Sequence, residues 1–277
     1  MSRGLFFAMM PRMTKNSPYN YLILLVFLAV ISVFSFSACS KKPIEIGRTN
    51  PDQEIKKCIK LSEKKHFEDA IECLEIFKSR FPKSKWGIEA ELMIGDNYFR
   101  RKEYLLAADS YQAFVKLHPI HPKIDYAYYR TGVSYAKHSP KAIDRDQEYL
   151  DDAIANLSIV TKNFPQSAYY NVSRVTLLEA RTKIAKRHFY VGRFYYRTGE
   201  YIAAIPRFQE IVENYPDSGL LPKSLYLMTV SNIRLSRLDD AKESFSILAT
   251  RFSDSDYVPK AQKRLLRATK KRESSLW

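Results

Sequence analysis

Apolar and polar positions along this chain follow a helical period, and one arrangement of them returns at regular intervals. The stretch Ala90–Pro119 shows it most completely: Gly95 and Ala107 are small, and Tyr111 follows four residues after the alanine. A pair of antiparallel helices explains this layout, because the distance between two helix axes depends on the size of the side chains at the contact. Proline ends the second helix, since it lacks an N–H and clashes with the preceding turn. The pattern therefore predicts a helix–turn–helix unit.

The same unit occurs five times. The predicted helix ends are Phe81-Pro82, His118-Pro119, Phe164-Pro165, Tyr215-Pro216 and Phe252-Ser253, spaced by 37, 46, 51 and 37 residues. Twelve residues before the second member of each dipeptide stands an alanine: Ala70, Ala107, Ala153, Ala204 and Ala241. Four residues after each alanine stands a large apolar or aromatic residue: Leu74, Tyr111, Leu157, Phe208 and Phe245. This period is typical of tetratricopeptide repeats. We therefore predict an all-α fold, a tetratricopeptide-repeat solenoid of five helix pairs plus a C-terminal capping helix.

The two long spacings predict insertions. In the third repeat, we expect a loop over Ala136–Glu148 whose charged residues, Asp144-Arg145-Asp146, pair with one another. In the fourth repeat, we expect a helix over roughly Ser167–Arg197 that keeps one apolar face. The residues predicted for that face are Val172, Val175, Leu178, Ile184, Phe189 and Tyr196. The last predicted helix, Tyr257–Arg272, is rich in Lys and Arg, as a solvated cap of a solenoid would be; acidic lipid or another subunit could also cover it.

The first 40 residues differ from the rest. Residues 1–20 carry three positive charges and no acid, and Tyr21–Phe34 is an apolar run of fourteen residues, short of the roughly 20 needed to span a membrane. Small residues then lead to Cys39. This is typical of a secretory signal peptide, and it resembles a bacterial lipoprotein signal in which Cys39 is lipidated; an uncleaved membrane anchor is the alternative. We expect residues 1–38 to be a signal peptide, 39–53 a lipidated tether and 54–277 the solenoid, with Ser40 favouring the outer membrane.

The positive net charge of the chain affects which partners we expect. The formal net charge of the chain is +15, and removing residues 1–38 with Arg3, Arg12 and Lys15 leaves +12. A basic surface can indicate nucleic-acid binding, but the export signal argues against that partner. Acidic proteins and anionic lipid head groups are the expected partners in an exported protein.

Two cysteines besides Cys39 flank the first predicted turn at similar distances, so Cys58 and Cys73 could lie level with each other in antiparallel helices. Two interpretations remain open. The cysteines are buried small residues, or they form a disulfide in an oxidising compartment.

Signals for catalysis are missing from the sequence. None of the five histidines lies in an H-E-x-x-H motif, and the chain contains no G-x-S-x-G, phosphate-binding loop or C-x-x-C. We therefore predict a protein that is not an enzyme, with no cofactor and no metal. A periplasmic hydrolase built on helical repeats is the alternative from another functional class.

The stretch His121–Gly132, which contains His-Pro-Lys-Ile-Asp-Tyr, and the loop Asp144-Arg145-Asp146-Gln147 add a family signature. With the lipoprotein cysteine, five repeats and the long fourth-repeat helix, the chain resembles the BamD family. That family is the lipoprotein subunit of the machinery that inserts β-barrels into the Gram-negative outer membrane. The resemblance implies a scaffold facing the periplasm from the outer membrane, where it is lipid-anchored.

The resemblance also implies partners for each half. Residues 54–165 would bind the carboxy-terminal signal of unfolded outer-membrane β-barrel proteins, and residues 166–277 would dock on a POTRA domain of the BamA-like barrel subunit. Other assembly lipoproteins are further expected partners. In the family an arginine precedes the fourth-repeat glycine; here Thr198 precedes Gly199, and Arg197 is the candidate for the docking role. A lipidated pilotin or assembly factor for a secretin or pilus is the alternative function.

Inward positions of the first helices supply the candidate binding residues. For the substrate peptide they are Asp96, Phe99, Arg100, Tyr126, Tyr129 and Lys137. For the partner they are Phe189, Arg193, Tyr196, Arg197, Tyr226 and Arg234. Aromatic rings would supply contact area and cations would pair with a carboxylate. The alternative is that the tyrosines only pack between repeats and the arginines are only solvated.

Overall fold

Helix follows helix throughout residues 50–274, the part of the chain that the computed structural model describes. These residues form eleven α-helices and one 3-10 turn, and all of them lie in one unit of the chain. The helices are α1 Pro51–Glu63, α2 Phe67–Arg80, α3 Lys85–Arg100, α4 Tyr104–Leu117, α5 Ile124–His138, α6 Glu148–Asn163, α7 Tyr170–Thr198, α8 Tyr201–Asn214, α9 Leu221–Arg234, α10 Leu238–Arg251 and α11 Tyr257–Ser274. The predicted signal peptide, Cys39 and the tether up to residue 49 lie outside the described residues.

Successive helices pack against one another in pairs, and each pair packs against the next pair along the chain. Each helix contacts the next along the chain, and first helices of neighbouring pairs also touch, as α1 with α3, α5 with α7, and α7 with α9. Contact limited to neighbours is the property that defines a solenoid. The predicted architecture of five pairs and the capping helix α11 is confirmed, with α1 beginning at Pro51 inside the segment predicted as tether.

Small residues allow the two helices of a pair to approach. All five repeat alanines are fully buried. A Cβ atom added at Gly95 would lie 2.7 Å from the Tyr111 ring, and one added at Gly192 would lie 2.9 Å from the Phe208 ring. Both pairs are 16 residues apart, so the same small-against-large contact recurs in equivalent repeats.

The ends of the second helices share one backbone conformation. The cap residues have φ between −125° and −140° and ψ between 49° and 59°, and they are Phe81, His118, Phe164, Tyr215 and Phe252. Four of them precede proline, which disfavours helical backbone in the residue before it. Phe252 adopts the same conformation before Ser253. The surrounding repeat geometry therefore imposes this end even where proline is missing.

The turns inside the pairs also repeat. In four of the five pairs a residue with left-handed backbone precedes the second helix: Lys65 (φ 64°), Lys102 (φ 67°), Gly199 (φ 86°) and Ser236 (φ 58°). The next residue then has φ near −80° and ψ between 62° and 71°. The third pair differs because its turn carries the insertion.

The inserted segment is shorter than predicted, and hydrogen bonds within the segment hold it together. Helix α5 continues to His138, so the connecting segment is 139–147. The Gln147 side chain is buried and its Nε2 donates to the carbonyls of Ala142 (2.8 Å) and Pro140 (3.2 Å). The prediction that the charged residues pair among themselves is wrong: Asp146 lies 3.3 Å from Arg187 of α7, so the ion pair connects this segment to the long helix.

The predicted apolar face of α7 is wrong in its first half. Val172, Val175 and Leu178 are 45–57 % exposed, whereas Ile184 and Phe189 are buried. Ser173 and Ala180 take the buried positions instead, and Ala180 packs in one core cluster with Leu150 of α6. Charged residues interrupt the apolar ones along α7, and in the described part of the chain no helix is both long and apolar enough to cross a membrane.

Cys58 and Cys73 form a disulfide between α1 and α2, which resolves the open choice. The same repeat positions in the fifth pair hold Thr229 and Ser244, whose hydroxyl oxygens lie 3.0 Å apart in a hydrogen bond. Each terminal pair therefore carries a specific cross-link between its two helices at this level of the repeat.

The left-handed turns generate a testable prediction about stability. Lys65→Gly should raise the melting temperature, because glycine relieves a left-handed conformation that costs other residues about 1 kcal/mol. Lys64→Gly is the matched control: it removes the same charge one residue earlier, where φ is −74°, and should lower the melting temperature. Thermal unfolding followed by circular dichroism measures both, and an equal response of the two variants would contradict the turn geometry.

Candidate functional site

Five side chains from three helices meet around the residues that the sequence predicts to bind the substrate peptide. We call Asp96, Phe99, Tyr111, Tyr126 and Arg130 the tyrosine–arginine cluster. The hydroxyls of Tyr111 and Tyr126 both donate to Oδ1 of Asp96. Arg130 Nε donates to the Tyr111 hydroxyl at 3.0 Å, and its Nη2 lies 3.4 Å from Asp96 Oδ1. One carboxylate thus holds α3, α4 and α5 together.

The Arg130 guanidinium also lies against aromatic faces. Its Cζ is 3.8 Å from the centroid of the Phe99 ring, a cation–π contact. The Tyr111 and Tyr126 rings meet edge to face with centroids 6.2 Å apart. Since the charge of Arg130 is balanced by Asp96 and its guanidinium plane is covered by Phe99, the cluster is formed before any ligand binds.

Burial and charge shift the ionisation of the cluster. Burial raises the pKa of Tyr111 and of Tyr126 well above the usual value, and the neighbouring Asp96 carboxylate raises each further. For Arg130, burial opposes the charged form, but the two tyrosines and Asp96 outweigh it and raise its pKa. Arg130 therefore stays charged and both tyrosines stay protonated as hydrogen-bond donors.

The aromatic surface continues towards the fourth repeat. Tyr129 stacks on Tyr169 with ring centroids 5.1 Å apart, and Tyr126 approaches the same ring at 5.2 Å. Ser167 Oγ donates to Asp125 Oδ2 at 2.6 Å, which fixes the segment before α7 against α5. The start of the long helix is thereby connected to the tyrosine–arginine cluster.

The structure brings together four of the six predicted substrate residues: Asp96, Phe99, Tyr126 and Tyr129. Arg100 instead donates to Ser62 Oγ of the first repeat at 3.1 Å. Lys137 is exposed near the end of α5, where it forms no ion pair with any residue between 50 and 274.

Sequence reasoning missed Arg130 and Tyr169. Arg130 stands four residues after Tyr126, one helical turn along the same face of α5, and that spacing was the available signal. Tyr169 carried no signal, since it lies in a connection between helices.

The second predicted surface contains an open cleft of about 650 Å³ beside α7. We call it the aromatic–basic cleft; its lining is Ile143, Lys186, Phe189, Tyr190, Arg193, Phe194, Arg197 and Thr198. Phe189 is buried and packs on Phe208, whereas Tyr190 and Phe194 are 52 % and 59 % exposed. Three cations and two solvent-facing rings thus surround one opening.

Three of the six predicted partner residues do not line this cleft. Tyr196, Tyr226 and Arg234 lie near the last helix, where Tyr226 approaches Tyr257 with ring centroids 5.3 Å apart. Burial raises the pKa of Tyr196, and the charges of Arg264 and Arg234 oppose that shift. The predicted partner surface is therefore two separate surfaces.

Metal binding has no candidate here: within residues 50–274, no group of three or more His, Cys, Asp or Glu side chains is arranged to hold a metal ion.

The chain is similar to a known protein family and to several named proteins. Residues 50–243 match the model of a family named YfiO and described as an outer membrane lipoprotein. A Caulobacter vibrioides protein named outer membrane protein assembly factor BamD is 24 % identical over 187 residues, which cover 68 % of this chain and 61 % of that protein. The chain thus matches about three fifths of that relative's length.

Other relatives carry the same name. The Neisseria meningitidis serogroup A protein is 26 % identical, with 69 % of this chain and 75 % of the relative covered. The Rickettsia prowazekii protein is 29 % identical, with 72 % and 78 % covered. Among solved structures, a TPR2AB domain of yeast Sti1 in complex with a pHSP90 is 14 % identical and covers 82 % of this chain and 86 % of its own, with a TM-score of 0.38.

The tyrosine–arginine cluster predicts a selective loss of stability. Arg130→Met keeps the length of the side chain but removes its charge and hydrogen bonds, so it should destabilise the protein by about 2 kcal/mol. Arg100→Met is the control, because Arg100 is exposed and makes one hydrogen bond; its effect should stay within about 0.5 kcal/mol. Urea unfolding compares the two variants, and similar losses would show that Asp96 does not depend on Arg130.

Proposed function

Because the chain belongs to the YfiO family of outer membrane lipoproteins, we propose that it is a non-enzymatic scaffold in the assembly of outer membrane proteins. The observation that carries this proposal is the family match over residues 50–243, which includes both the tyrosine–arginine cluster and the aromatic–basic cleft. Relatives named as outer membrane protein assembly factors support the same role. A stack of helix pairs with two distinct surfaces suits a protein that holds other polypeptides.

The proposed location follows from the amino-terminal sequence. Removal of residues 1–38 would leave Cys39 as the lipidated first residue, and residues 40–49 would connect it to α1. More than one acyl chain on that cysteine would give stable anchoring. The scaffold would then lie at the outer membrane and face the periplasm.

We assign substrate binding to the surface around the tyrosine–arginine cluster. Asp96 and Arg130 neutralise each other, so the cluster itself contributes rigid aromatic area rather than free charge. A carboxylate at the end of an unfolded barrel protein would pair with the exposed cations nearby, Arg100 or Lys137, while its terminal aromatic ring would pack against Tyr129. The Tyr129–Tyr169 stack holds that ring platform in place before any peptide arrives.

We assign docking of the barrel subunit's POTRA domain to the aromatic–basic cleft. Lys186, Arg193 and Arg197 give it a positive charge, and the exposed Phe194 is a suitable anchor for an apolar pocket of a partner. Aromatic and arginine anchors dominate the binding energy of many interfaces. Tyr196, Tyr226 and Arg234 would join this contact only if the partner, or a further assembly lipoprotein, also reaches the last helix.

Co-purification tests the docking surface. Arg193→Glu with Arg197→Glu should abolish recovery of the barrel subunit with this protein, because two charges of the cleft are reversed. Lys162→Glu with Arg174→Glu makes the same charge change on exposed positions, and Arg174 is about 28 Å from Arg193 along the helix axis. That control should leave recovery intact. Intact recovery in the first variant removes the cleft from the proposal, and recovery of a secretin in place of a POTRA-bearing barrel contradicts the assembly role.

Crosslinking tests the substrate surface. Arg100→Glu with Tyr129→Ala should reduce crosslinking to a peptide carrying the carboxy-terminal signal of a barrel protein at least about tenfold, since a charge partner and a ring platform are both lost. Arg100→Glu with Tyr190→Ala, which removes an exposed ring of the aromatic–basic cleft instead, is the control for nonspecific loss and should reduce crosslinking less. Unchanged crosslinking in the first variant would exclude this surface as the peptide site.

A further inference from the structure

A second cleft lies at the carboxy-terminal end of the solenoid, between α9, the start of α10 and α11. Its volume is about 760 Å³. Its charged lining residues are all cations: Arg234, Arg264, Arg267, Lys271 and Arg272. Val230, Ile233 and Ala268 form its apolar part. We call it the terminal basic cleft.

The positive charges lie on two sides of the cleft, one formed by α9 and the other by α11. Arg234 ends α9, while Arg264, Arg267 and Lys271 project from α11 at spacings of three and four residues, which places them on one helical face. The adjoining face of α11 is fixed by the buried Ala261 and Leu265. The cations are therefore held together by the packing of the helix and do not depend on a ligand to assemble.

Few acidic groups compensate this charge. No Asp or Glu lines the cleft, and within the described chain none of Arg234, Arg264, Arg267 and Lys271 forms an ion pair. Like charges at this spacing repel one another. An anion placed between the two walls would remove that repulsion and could accept paired hydrogen bonds from the planar guanidinium groups, the geometry that suits phosphate.

The surface of α11 indicates that the anion belongs to a membrane lipid. The helix carries seven Lys and Arg residues against Glu273, and Leu266 is 54 % exposed on it. A basic helix that also presents an apolar side chain is typical of segments that lie at an anionic membrane surface. A cleft of this volume accommodates a small polar group whole, whereas a protein partner needs a much larger contact.

We propose that the terminal basic cleft binds the phosphate of an anionic lipid head group, with Arg234 on one wall and Arg264 and Arg267 on the other. The apolar part of the cleft, Val230, Ile233 and Ala268, then receives the glycerol end of the lipid. Binding there uses neither the tyrosine–arginine cluster nor the aromatic–basic cleft, and Arg234 is the one residue that it shares with the predicted partner set. It gives the scaffold a second contact with the membrane besides the lipidated cysteine.

Calorimetric titration of the full chain in detergent tests this site. The probe is a water-soluble short-chain phosphatidylglycerol, compared with phosphatidylcholine of the same chain length. Arg264→Ala with Arg267→Ala should weaken phosphatidylglycerol binding at least about tenfold. Lys263→Ala with Lys270→Ala is the matched control: it removes the same charge from the same helix at exposed positions outside the cleft, and should change binding less than about twofold.

The outcomes separate the alternatives. If both variants weaken phosphatidylglycerol binding equally, or if phosphatidylcholine binds as tightly, the lipid is attracted by the overall charge of α11 and the proposed site is wrong. Tighter binding of inorganic pyrophosphate or of hexaglutamate assigns the cleft to a free phosphate or an acidic protein segment and also overturns the proposal. Thermal unfolding of both variants checks that they fold. Co-purification with the barrel subunit is unaffected by this result, so failure here and failure of the assembly role are distinguishable.

Discussion

The close approach of two helices at a small residue is the contact on which the rest of this structure depends. In every pair the alanine is fully buried. In the second, third and fourth pairs, the large side chain four residues later lies against a glycine of the facing helix. Interiors pack as densely as organic crystals, so this contact sets the distance and the register of the pair. The next pair can stack only on a first pair of the right shape, which is why the same turn and helix-end conformations recur along the chain.

The aromatic–basic cleft forms where the chain departs from the regular repeat. The segment 139–147 and the long helix α7 are joined by the Asp146–Arg187 ion pair and by a hydrogen bond from Lys183 to the Pro140 carbonyl. Ile143 of that segment then becomes one side of the aromatic–basic cleft. An insertion that could have been a loose loop is therefore held by the helix beside it, because Gln147 satisfies its backbone carbonyls from within.

Polar groups between the repeats contribute differently from the apolar packing inside each pair. Asp96 of α3 accepts from two tyrosines and faces Arg130, so a half-buried carboxylate is engaged by donors from two other helices. Such a network stabilises one arrangement of the repeats only if each member is satisfied. It also leaves the predicted substrate surface with aromatic area instead of free charge at its middle. At the other end of the chain, Arg264, Arg267 and Lys271 of α11 line a cleft that has no Asp or Glu among its described lining residues, and the two ends consequently suit ligands of different chemistry.

The sequence by itself determined the all-α class, the five pairs, the helix ends and the position of the long helix. Those features follow from contacts inside one pair, which have a fixed separation along the chain and so appear as a period. The tertiary structure alone decided that Arg130 faces Asp96, that Val172, Val175 and Leu178 are exposed, and that the second predicted surface divides in two. Periodicity shows that a residue lies on an apolar or inward face, but not which neighbour covers it. That depends on how each pair stacks on the next and on where the insertions lie, and neither leaves a regular spacing in the sequence.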